Sequence, residues 1–230
     1  MNFDPRLGSL VATALPSGFA MALLCIRVQR THTMTFTFLA WNLVLAWIAY
    51  ALGESTIALG RRRRPGAALC IGAWWWLFFP NTLYLTTDLL HLRYARGAPF
   101  WFDLGLLLAF AASGVALALA SLHQVRSYVA ERWGSRVGWA FFAVAALSSG
   151  FGIWLGRVRR YNSWDVVMAP EALIRDVAGA ILAPTRHVAA WGVTLIFAGL
   201  LVVLYFAYVV VPRAWITGVS GGGGEPLERT

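Results

Sequence analysis

Of 230 residues, 59% are apolar and only 13% charged, about half the charged fraction usual in soluble domains, so a water-soluble single core is excluded and lipid must cover much of the surface. The net charge of +9 comes from arginine alone, since the sequence holds no lysine; these rigid forked donors suit carboxylates and phosphates. They lie in short loops, which argues against nucleic acid and for anionic lipid headgroups as partners.

Six apolar stretches, at about 8–26, 34–59, 67–90, 100–122, 137–156 and 188–211, each approach the roughly 20 residues needed to cross hydrocarbon. The expectation is an all-α polytopic transmembrane bundle, a single membrane domain over 1–211. The first stretch contains Pro16 and Gly18 and follows Arg6 as a signal peptide would. Ala22, Leu23 and Leu24 before Cys25 make a poor cleavage or lipoprotein site, so it is read as a retained span. Cys25 and Cys70 fall at opposite faces, too far for a disulfide, which needs Cα atoms within about 7 Å. Each is expected as a small buried apolar residue.

The third stretch carries the densest polar signal. Asn81, Tyr84, Asp88 and His91 recur at helical spacing and form one stripe. A polar stripe in lipid must face protein or a wet cavity. Pro80 removes a backbone bond to Trp76 and predicts a kink, with Asn81 placed to satisfy the freed carbonyl. The fourth stretch opens Pro99-Phe-Trp-Phe-Asp103. Proline and an acid suit a helix start, and the aromatics suit the membrane interface. The short loop from His91 predicts Asp88, His91 and Asp103 as neighbours.

The fifth stretch presents Gly152 and Gly156 as a face for close helix packing, then Arg157, Arg159 and Arg160. Asn162 and Asp165 have the spacing of a capping box. A cap leaves the three arginines unexplained, whereas neutralising Asp88 and Asp103, or gripping a phosphate, explains them. Within the 157–187 loop, Pro170 starts a short amphipathic surface helix with Leu173, Ile174, Val177 and Ile181 on one stripe and a Glu171–Arg175 pair opposite. Residues 212–230 read as a flexible Gly-rich tail. Loop arginines divide ten against nine between the faces. The Arg61–Arg64 run in a short loop decides for cytoplasmic termini, which puts the polar cluster outside.

The strings Trp41-Asn42…Ala46-Trp47, Leu77-Phe-Phe-Pro80-Asn81…Tyr84…Thr87-Asp88-Leu-Leu-His91-Leu, Phe102-Asp103 and Gly150-Phe-Gly152-Ile-Trp-Leu-Gly156-Arg157…Asn162-Ser163-Trp164-Asp165 resemble the bacterial membrane family catalogued as domain of unknown function 1361, over roughly 38–210. The resemblance implies a multi-pass protein of a bacterial cytoplasmic membrane and no activity. Three function classes stay open. In the first, the chain is a membrane-embedded binding or assembly protein whose Asp–Arg cluster is an internal clasp. In the second, it is an enzyme on a lipid-linked or phosphorylated substrate at the outer leaflet. Asp88, His91 and Asp103 are then the catalytic candidates, with Asn81, Tyr84, Arg157, Arg160, Asn162 and Asp165 as substrate-binding candidates. Asp88, His91 and Asp103 could also hold a divalent metal, though two acids and one histidine specify none. In the third, it is a small-solute transporter, for which the broken third span is the argument. The sequence names no oligomeric state.

Overall fold

A computed structural model describes residues 5–94, 97–162 and 164–220, with side chains between residues 7 and 209 of those ranges. Among the described residues every regular element is a helix and there are no strands. In chain order the helices are α1 (Pro5–Thr31), α2 (Phe38–Arg61), α3 (Pro65–Phe78), α4 (Pro80–Thr87), a 3-10 helix (Asp88–Tyr94), α5 (Phe100–Trp133), α6 (Ser135–Arg157), α7 (Asp165–Met168), α8 (Pro170–Leu182), a 3-10 turn (Pro184–Arg186) and α9 (Val188–Ser220). Five of them, α1, α2, α5, α6 and α9, are long and apolar enough to cross a membrane. The chain is an all-α membrane-embedded bundle.

The third sequence-predicted span is a broken helix. Pro80 has no N–H to continue the ladder, so α3 stops at Phe78 and α4 restarts at Pro80. Side chains bond carbonyls beside the break: Asn81 Nδ2 donates to the Phe78 carbonyl at 2.9 Å, not to that of Trp76 as expected, and Thr82 Oγ1 donates to that of Phe79 at 2.7 Å. Past Thr87 the chain tightens into the 3-10 helix, and Asp88 sits at that junction.

Helix α5 is the centre of the bundle, with 61% of its apolar window buried against 22% for α1 and α9. It packs on α1, α2, α4 and α6, while α9 lies along α6 and α3 along α2. One buried cluster joins α5 to α1, α2 and α4, and another joins it to α3, α6 and α9. Close approach depends on missing side chains. A Cβ at Gly152 would meet the Pro80 ring at 2.6 Å, one at Gly156 the Tyr84 ring at 2.7 Å, and one at Gly150 would clash with the Thr194 carbonyl oxygen. The expected small-residue face of α6 thus seats α4, and Gly150, on the opposite face of the same helix, seats α9.

Two expectations are corrected. Cys25 and Cys70 are exposed on the apolar surface instead of buried, because that surface is the lipid side of a bundle and needs no core position to be dry. Helix α9 continues to Ser220, past the expected end of the membrane domain at 211. The Gly-rich tail from Gly221 lies outside the described residues.

Candidate functional site

Two carboxylates are fully enclosed at the end of the bundle where α1, α4 and α6 finish and α5 begins. Asp103, in the first turn of α5, has no exposed surface. Its partner is Arg27, also fully buried. Arg27 Nε donates to Oδ1 at 2.6 Å and Nη2 to Oδ2 at 3.1 Å, a bidentate fork. The third nitrogen, Nη1, donates to Thr33 Oγ1 at 3.1 Å and the Thr35 carbonyl at 3.3 Å. The Phe36 ring covers the guanidinium at 4.6 Å. The pair therefore ties α1, the 32–37 turn and α5 together.

Asp88 is the second. Its Oδ1 accepts from Arg157 Nη2, and its Oδ2 accepts from Asn42 Nδ2 at 2.8 Å. Arg157 Nε donates to Thr87 Oγ1 at 2.7 Å, and its guanidinium lies over the Tyr84 ring at 4.0 Å. Tyr84 in turn donates its hydroxyl proton to the Gly156 carbonyl at 3.2 Å. Thus α2, the α4–3-10 junction and α6 converge on one carboxylate: α4 supplies Tyr84 and Thr87, and Asp88 follows on the same side at the start of the 3-10 helix. The His91 ring leans on Phe38 at 4.8 Å, with Nδ1 3.2 Å from the Asp88 carbonyl and 3.6 Å from its Oδ1. Its side chain is 29% exposed.

The remaining sequence candidates separate from this pair of clasps. Arg160 is exposed at φ +63° and is part of neither. Asp165 accepts from the Asn162 backbone N–H at 2.6 Å, which is the capping contact, so both serve the turn into α7. Arg159 instead reaches α8, forking onto Asp176 at 2.7 and 2.6 Å, where Tyr161 also donates at 2.9 Å. Burial pushes the Asp176 carboxyl up, but the hydrogen bonds from Arg159 and Tyr161 and the nearby arginine charges outweigh it and hold it below its ordinary value. Among the described residues no Glu171–Arg175 ion pair forms; the polar face of α8 is used by Asp176. Helix α8 otherwise runs as expected. It buries Ala180 against Trp154 and Ala190 while leaving Ile174 and Ile181 exposed.

Asp88, His91 and Asp103 do not form a ligand set, because Asp103 is turned to Arg27. Among the described residues no three His, Cys, Asp or Glu side chains stand where they could share a metal ion. A cavity of about 600 Å³ does exist, lined by Glu54, Arg61, His123, Gln124 and Glu131 among others, but on the opposite side of the bundle. Two site residues are not among the sequence candidates: Arg27, just past the first apolar stretch at 8–26, and Asn42, present only in the string Trp41-Asn42.

The model of the family described as "Protein of unknown function (DUF1361)" matches residues 41–204, and the chain belongs to that family. No curated protein and no solved structure matches it.

Proposed function

We propose that this DUF1361 protein is a membrane-embedded binding or assembly protein whose two Asp–Arg clasps fix its helices at one face of a bacterial cytoplasmic membrane. Both termini lie in the cytoplasm and the clasps at the outer face. The observation that carries this reading is the complete occupation of Asp88 and Asp103, both fully buried, with every carboxylate oxygen holding a donor. A general base or metal ligand must be reached by its substrate or ion, whereas both carboxylates are fully buried and each is already neutralised by an arginine. A second reading has one observation behind it: Arg157 and His91 keep 20% and 29% of their side chains exposed beside Asp88. A phosphorylated or lipid-linked headgroup could reach them, in an enzyme or in a receptor. The transporter reading keeps only the break at Pro80.

Exchange at Asp88 separates the readings. Asp88→Asn leaves the partly exposed Arg157 without its counter-charge, at a cost below the about 3–5 kcal/mol of breaking a fully buried pair. The clasp reading expects a lower melting temperature in detergent and recovery in Asp88→Asn/Arg157→Met. Complementation of a deletion strain should follow stability in both variants. A stable Asp88→Asn protein that fails to complement, unrescued by the second exchange, would favour chemistry and overturn the clasp.

A further inference from the structure

The clasps dispose of Arg27 and Arg157, but a third arginine inside the bundle has no such partner. Arg126 on α5 is partly buried, and its Nε is enclosed without a hydrogen bond. No carboxylate pairs with it among the described residues: Glu131 on the same helix is taken by Arg61 at 3.2 Å. His123, one turn back, is engaged by Tyr205 Oη at 3.0 Å. What Arg126 does have is a platform. Its guanidinium lies 4.1 Å over the Trp139 ring of α6, and Trp139 stacks on Phe206 of α9 at 5.6 Å and 10°. Trp139 and Phe206 are 37% and 45% exposed, so this stack stands on the lipid-facing wall.

A guanidinium stays charged in any accessible pH range, and an unpaired one within a membrane span is costly. From Asp103 to Arg126, α5 rises about 35 Å at about 1.5 Å per residue, against about 30 Å of hydrocarbon. With Asp103 at one boundary, Arg126 arrives at the other, where phosphates lie. Arg132 and the exposed Arg136, near the α5–α6 turn about 9 Å further out, add positive charge on the same side. We infer that Arg126, stacked on Trp139, binds the phosphate of one anionic phospholipid in the leaflet on the Arg61–Arg64 side, with the acyl chains running along the exposed α6–α9 wall. The stack orients the guanidinium while leaving its two terminal NH2 groups, which are not enclosed as Nε is, for phosphate oxygens.

The test is a titration of the purified chain in neutral detergent, with bound lipid counted by native mass spectrometry. The probes are phosphatidylglycerol, phosphatidylcholine and inorganic phosphate. Wild type should retain one phosphatidylglycerol in preference to phosphatidylcholine, and millimolar inorganic phosphate should not displace it. Arg126→Gln should weaken that binding by about tenfold or more, the loss expected for one charge-assisted contact. Arg126→Lys should fall between, keeping the charge without the fork. Equal retention by wild type and Arg126→Gln overturns the inference, as does full displacement by inorganic phosphate, which would mark a free-phosphate site. Should Arg126→Gln not fold, wild type decides: no preference for phosphatidylglycerol overturns it.

Discussion

Arg27 illustrates how much one enclosed side chain can hold. Three of its nitrogens donate, to Asp103, Thr33 and the Thr35 carbonyl, and Phe36 covers its face. Removing it strands a buried carboxylate, so Arg27→Leu should cost about 3–5 kcal/mol. Arg157→Leu should cost less, because Arg157 is 20% exposed and water can reach the vacated site. Arg27→Lys should not rescue, since an ammonium lacks the fork. Arg27→Met with Asp103→Leu should recover most of the loss, as apolar replacements of buried pairs commonly do. Melting temperatures of the four variants in one detergent check the order; an Arg27→Leu protein as stable as wild type would remove the clasp at this position. The Asp103 end of this pair was legible from its place beside an apolar run. The arginine was not, because the pair joins residues 76 positions apart and local pattern says nothing about which of nineteen cations arrives.

Between elements, the decisive feature is how closely backbones approach. Gly150 faces the Thr194 carbonyl of α9, a backbone atom that has no rotamer to give. Gly152 faces a proline ring, and Gly105 on α5 faces open space. Gly150→Ala should therefore separate α6 from α9 and destabilise by about 1–3 kcal/mol, the usual cost of overpacking. Gly105→Ala should be neutral or stabilising, since alanine is the better helix former. Equal melting temperatures for the two would show that the close contact carries no load. The Gly152–Gly156 face and the start of α8 at Pro170 could be read from the sequence because small-residue spacing and proline at a helix start are local signals. The use of α8's polar face was misread: Glu171 and Arg175 have helical spacing, but Asp176 is the residue that the 158–161 turn reaches, and that geometry exists only after folding.

At the scale of the molecule, the bundle has two unlike faces. One holds both buried carboxylates and the α7–α8 surface segment. The other holds the Arg61–Arg64 run, the α5–α6 turn and Arg126. Sequence periodicity gave six apolar runs, and five became long helices while the third broke at Pro80. The break follows from one missing N–H and so was readable; the pairing that gathers α1, α2, α4, α5 and α6 around two acids was not. Orientation rests on arginine in short loops, which translocate poorly when positively charged. Asn162 and Ser135 are exposed at opposite faces, and substitution to cysteine in a background lacking the exposed Cys25 and Cys70 reports on each. In intact cells Asn162→Cys should react with an impermeant thiol reagent, and Ser135→Cys should react only after permeabilisation. The reverse pattern would turn the molecule over. It would bring both clasps to the cytoplasmic side and move the Arg126 site to the outer leaflet, where its anionic lipid would have to be found instead.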